Sequence, residues 1–169
     1  MSRFRRARVP GGCYFFTVAA ERRQPILAND DVRLALREAI TQVRQVLPFR
    51  IDGWVLLPDH LHAIWTLPEG DADFSSRWRL IKRHVTRTCG PAYFRPGFLT
   101  PRRSAKQCGT LWQHRFWEHL IRDERDPSAN GLPARQSAEA WAGNPRRRLA
   151  LVILPSLRKA RNLSRRLGR

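Results

Sequence analysis

The residues with the clearest chemical potential are Asp59-His60-Leu61-His62. Side chains alternate in an extended strand, so His60 and His62 share one face, about 6–7 Å apart at their Cα atoms. Two neutral imidazoles at that separation can share one divalent cation. Its open coordination positions then suit a substrate phosphate. Leu61 points the other way, into a core. The plainer alternative is two half-exposed histidines on a sheet. A second set interleaves cations with flat rings: Arg77-Trp78-Arg79 with Lys82 and Arg83, and the run from Trp112 to Trp117 that contains Arg115. Cations neutralise phosphates, and rings stack on unpaired bases. The competing view buries Trp78, Trp112 and Phe116 and leaves the cations on a solvated face, because tryptophan is more often core than platform. A third set is the N-terminal cluster Arg3, Arg5, Arg6 and Arg8, a candidate arm for a nucleic-acid backbone or minor groove, or else a merely solubilising terminus. His84, His114 and His119 stand alone. Cys13, Cys89 and Cys108 share no Cys-x-x-Cys spacing and read as small apolar fillers in a reducing compartment.

Composition supports the electrostatic part of this reading. The 169 residues carry 32 Lys and Arg against 14 Asp and Glu, a formal charge of +18. A polyanionic partner is the leading expectation and an acidic membrane surface the second. An apolar share of 42%, with 6 Trp and 8 Phe, is enough to build a core. The apolar runs are too short to span a membrane, and the N-terminus lacks a hydrophobic signal segment. A cytoplasmic location is therefore expected, at the nucleoid if the polyanion is DNA.

The histidines need a rigid strand, and the periodicity supplies one. Residues 13–20 are aromatic and β-branched after Gly11-Gly12, and read as a strand. Asn29 or Asp30 starts a helix carrying Val32, Leu36, Ile40, Val43 and Leu47, which Pro48 stops. Residues 51–57 and 60–67 form a hairpin around Pro58-Asp59. A second helix covers 74–88 with Trp78, Ile81 and Val85 on one face. Residues 90–109 are loop-like, and 111–121 read as a last strand. The order β-α-β-β-α-β predicts an α+β, ferredoxin-like split βαβ fold: an antiparallel sheet with two helices on one face. Three segments follow: a basic arm at 1–12, this domain at 13–125, and a divergent tail at 126–169. The tail carries nine basic residues and no acid from Trp141 onward, and is expected to be poorly ordered or loosely helical.

Several segments match one family. Arg6-Ala-Arg-Val-Pro-Gly-Gly, Tyr14-Phe-Phe-Thr-Val, Trp54-Val-Leu-Leu-Pro-Asp-His-Leu-His62, Phe74-Ser-Ser-Arg-Trp-Arg-Leu-Ile-Lys82 and the run from Leu111 to Asp123 resemble REP-associated tyrosine transposases. These are bacterial relatives of the single-tyrosine HUH transposases, and the resemblance covers residues 3–125. It implies that His60 and His62 hold Mg²⁺ or Mn²⁺, which polarises the scissile phosphate of single-stranded DNA. It implies a tyrosine nucleophile on a following helix, with an Asn four positions later completing the metal shell. It also implies hairpin substrates from repetitive extragenic palindromes, and a possible homodimer.

The chain departs from the family after Asp123. The expected helix of the form Tyr-Ile-His-Tyr-Asn-Pro-Val-Lys-His-Gly-Leu is missing, and no Tyr follows Tyr93. Without a phenol there is no covalent intermediate. Cleavage is expected to be impaired, and a non-catalytic binder of structured single-stranded DNA is the alternative. A reading-frame change shortly after Asp123 accounts for the departure. Shifted by one nucleotide, residues 131–143 can decode as a family-like helix, with Tyr at the position of Leu132 and Asn at that of Gln136. The gene's own codons check this: a shifted frame lacking Tyr and Asn at those two places ends the idea.

Overall fold

The computed structural model describes residues 8–105 and 109–122. Arg3, Arg5 and Arg6 of the basic arm, Cys108, and the tail at 126–169 lie outside the described residues. The elements run β1 (Cys13–Ala19), α1 (Asp30–Val46), β2 (Arg50–Leu56), β3 (His60–Thr66), α2 (Phe74–Cys89), α3 (Pro101–Ala105) and β4 (Trp117–Ile121). Among the described residues all pairings are antiparallel and the sheet order is β2-β3-β1-β4, with β2 and β4 outermost. This is the expected ferredoxin-like arrangement.

Alternation decides what each face of the sheet carries. In β3, Leu61, Ala63 and Trp65 are buried, while His60, His62, Ile64 and Thr66 lie half-buried on the other face. In β1, Tyr14, Phe16 and Val18 join the buried side. Val32, Leu36 and Val43 of α1 meet this face, as do Phe74, Trp78, Ile81 and Val85 of α2. At its centre the Trp65 and Trp78 rings stack at 4.2 Å and 16°. Such a pair adds about 0.5–1.5 kcal/mol beyond its buried area. The entry to β1 is held by Tyr14, whose hydroxyl accepts from Val9 N at 2.7 Å and donates to Val9 O at 3.2 Å. Gly12 beside it has no room for a side chain, since a Cβ would sit 2.9 Å from the Tyr14 ring.

Three expectations differ from the structure. Arg77 and Trp78 were candidates for DNA contact, but they are 0% and 1% exposed. The apolar face of α2 is wider than the stripe read from sequence, and position 77 falls inside it. Arg77 donates to Asp71 Oδ2 at 2.6 Å and to the carbonyls of Pro48 at 2.7 Å, Asp73 at 2.9 Å and Leu47 at 3.3 Å. It therefore ties the end of α1 to the start of α2. Asp73 caps α2 by accepting from Ser76 N at 3.0 Å. The last strand is also shorter than expected. It spans Trp117–Ile121, while Leu111 and Trp112 are buried and Trp112 pairs with Ala20 as an isolated bridge outside the strands. Lys82 holds the intervening turn by donating to Gln113 O at 2.5 Å. The 90–109 stretch, expected to be loop, contains short 3₁₀ turns and α3.

Arg77→Met should cost about 2–4 kcal/mol in urea unfolding, because it strands the Asp71 carboxylate and several carbonyls. The hydrogen bond from Arg77 is the first cause holding the Asp71 carboxyl below its ordinary 3.8. A depressed acid contributes stability above its unfolded pKa and loses it as pH falls through the folded value. The wild type should therefore lose stability below about pH 4, and the variant should show less of that acid loss.

Candidate metal centre and nucleic-acid interface

The histidine pair lies on the sheet face turned away from the helices. The two rings are 4.9 Å apart and nearly perpendicular, at 87°. Each Nδ1 is already engaged. Asp59 Oδ1 is 2.7 Å from His60 Nδ1, and Thr17 Oγ1 is 2.9 Å from His62 Nδ1. Asp59 comes from the turn before β3, and Arg23 reaches its other oxygen at 3.4 Å. Thr17 reaches His62 because β1 and β3 pair in the register Thr17 to His62. Nε2 of each ring is left as the available donor, and neither has a partner among the described residues.

This is the arrangement that orients histidines toward a metal, with the second nitrogen fixing tautomer and ring angle. Phe15 adds a flat contact to the His62 ring at 5.3 Å. Burial, and after it the charges of His60 and Arg23, push the His62 pKa down to about 4, against the opposing pull of Asp59. His62 is then neutral near pH 7, the form that ligates. The donor set fits a divalent cation. Among the described residues no group of three or more His, Cys, Asp or Glu side chains could hold a metal ion. The position where the resemblance would set a further ligand lies outside the described residues.

The second feature is a cleft of about 1160 Å³ beside β4. Arg79, Lys82, Arg83 and Arg87 line it from α2, Arg103 from α3, and Arg115 from the approach to β4. On α2, Arg79, Arg83 and Arg87 recur every four residues and share one helix face, opposite the buried stripe, with Lys82 at its flank. Arg103 is engaged with Glu21 at 2.8 Å and with Gly109 O at 3.1 Å. Arg79, Arg83, Arg87 and Arg115 make no ion pair among the described residues.

Of the residues singled out for DNA contact, Arg79, Lys82, Arg83 and Arg115 come together here. Arg8 is exposed but does not line the cleft. Two lining cations escaped the sequence reading. Arg87 sits one turn beyond Arg83, so the helical spacing could have found it. Arg103 belongs to a basic cluster with Arg102 and Lys106 in the stretch read as loop, and nothing in the sequence tied that cluster to this site. Trp117 also lines the cleft, and its register with Thr17 sets it two strand spacings from His62, across β1.

No protein-family model matches the chain. Known proteins nevertheless resemble it. It is 44% identical over 126 residues to a REP-associated tyrosine transposase of Escherichia coli K12, covering 75% of this chain and 66% of the relative. It is 37% identical over 126 residues to a Haemophilus influenzae protein that carries the same family name, covering 75% and 69%. The chain thus spans about two thirds of the length of these curated relatives. A solved REP-associated tyrosine transposase bound to a REP hairpin superposes with a TM-score of 0.61 at 42% identity, covering 80% of this chain and 74% of that one.

Thr17→Val removes the partner of His62 Nδ1 while keeping the shape. It should weaken Mn²⁺ binding about tenfold or more, measured by paramagnetic resonance titration of free ion. His62→Ala should abolish that binding.

Proposed function

The chain belongs to the REP-associated tyrosine transposase family, and from that premise we propose that it grips hairpin-forming single-stranded DNA of the REP type through a divalent cation and a basic cleft. His60 and His62 would hold Mg²⁺ or Mn²⁺. Such an ion, when bound, polarises a phosphodiester oxygen and offsets the charge that builds on the phosphate. The chain's own residues do the rest. Thr17 and Asp59 hold the two rings, and Arg79, Arg83, Arg87 and Arg115 draw the DNA backbone along the cleft. The anchoring of both Nδ1 atoms carries this reading, because it leaves the two Nε2 atoms presented together.

Strand cleavage and transfer are part of the same proposal, in an impaired form. Tyr14 is fully buried on the helix side of the sheet, with its hydroxyl spent on Val9. Tyr93 hydrogen-bonds Asp31 at 2.8 Å and Asn29 at 2.9 Å, and burial first, opposed by the Asn29 bond and reinforced by Asp31, pushes its pKa up. Neither phenol is poised to become the attacking phenolate. These placements favour a second form of the reading, in which the protein binds structured single-stranded DNA without cutting it. A nucleoid location follows from the DNA partner, and the homodimer implied by the resemblance is checked by light scattering. No helix among the described residues is long and apolar enough to cross a membrane.

Binding to a REP-type hairpin should weaken steeply with salt, because several phosphates are neutralised. Arg83→Ala should weaken binding uniformly across sequences and reduce the logarithmic salt slope by about 1. A flat salt response in the wild type would remove the basis of the proposal. Incubation of the labelled hairpin with Mn²⁺ should give complex but no covalent protein–DNA adduct, and an adduct would overturn the impairment.

A further inference from the structure

We propose that Trp117, backed by His119, is a stacking platform for one unpaired nucleobase, set between the basic cleft and the histidine pair. The inference rests on the DNA-binding reading above and assigns a specific subsite within it.

Exposure is the first observation. Trp117 is 50% exposed, whereas Trp54, Trp65, Trp78 and Trp112 are all at 7% or less. The fold therefore buries every other described tryptophan and leaves this one open on a sheet edge. Trp117 is also no part of the core cluster. A large flat ring held out of the core and into water is the form that a ligand contact takes.

Orientation is the second. The Trp117 and His119 rings lie 5.8 Å apart and only 5° from parallel. Phe15 meets the Trp117 ring edge-on at 5.8 Å and 70°. The indole plane is thus braced from within the sheet, so little side-chain freedom is lost when a base settles on it.

Location is the third. Thr17 pairs with His62 on one side and with Trp117 on the other. Cross-strand partners share a face, so the indole stands in the same row as the His62 ring, about 10 Å away across two strand spacings. The same residue lines the cleft alongside Arg115 and Lys82. A single strand passing from the cleft to the histidine pair must cross the β4 edge where the indole stands. The surrounding cations attract phosphates, while every base offers a π-face, so the platform suits unpaired nucleotides without reading their sequence. An apolar protein partner would gain nothing from that ring of arginines.

The test uses the full chain and two oligonucleotides. One is a hairpin with a short unpaired extension carrying 2-aminopurine, placed at each extension position in turn. The other is the same hairpin without the extension. Wild-type protein should quench the 2-aminopurine at one position. Trp117→Ala should abolish that quenching and weaken binding of the extended hairpin about tenfold, leaving the blunt hairpin unchanged. Trp117→Phe should restore most of both signals. Trp117→Leu keeps apolar bulk over Phe15, so it guards against misfolding, and it should behave like the alanine variant. If Trp117→Ala and Trp117→Leu bind and quench like wild type, the platform is wrong while the DNA reading stands. Equal weakening of both hairpins also overturns it. If wild type binds neither hairpin at low salt, the DNA reading falls and takes the platform with it.

Discussion

The antiparallel pairing of β1 with β3 governs both faces of the sheet at once. With Thr17 opposite His62, the rings of His60 and His62 point away from the helices, and Leu61, Ala63 and Trp65 point toward them. A slip of one residue would exchange the two sets, driving imidazoles into the aromatic core and leaving Trp65 in water. The core therefore enforces the site. The burial of Trp65 against Trp78 and Phe49, at 4.2 Å in each case, is what keeps the histidines outward.

The second helix has a comparable double duty. Its inner face, with Phe74, Trp78, Ile81 and Val85, completes the core, and its outer face carries the cations of the cleft. The long basic side chains need only a helical period to align, but they need the packed inner face to hold the helix in place. Arg77 shows how finely the two faces are divided. It is a cation on the buried side, made tolerable because one carboxylate and three carbonyls meet its guanidinium. Its planar fork could not be replaced there by a lysine, whose single ammonium cannot span the same acceptors.

The histidine pair was legible from the sequence because it needs only a two-residue period and a turn at Pro58-Asp59. The order of strands and helices along the chain was legible for the same reason: their apolar positions repeat. The role of Thr17 was not, since it depends on the register between strands 45 residues apart in sequence. Arg77 was misjudged because helical spacing fixes which side a residue faces but not whether Asp71 and the end of α1 will be there to receive it. Trp112 and Trp117 look alike in sequence, five positions apart in one aromatic run. Only the turn held by Lys82 separates them, burying the first and exposing the second. Arg103, one of a basic cluster in the sequence, could be assigned to the cleft only once α3 placed it on the wall.

The edges of the sheet carry a consequence for self-association. The outer strand β2 breaks its register with β3 between Ile51 and Gly53. At that break Asp52 draws in Arg50 and Thr66, each at 2.6 Å. A kinked, charged margin is a poor template for another strand, and the opposite margin, β4, is only five residues long. The sheet is thereby guarded against lateral growth into fibres. Among the described residues, neither margin offers the long, flat strand that a continuous sheet shared between two copies would need.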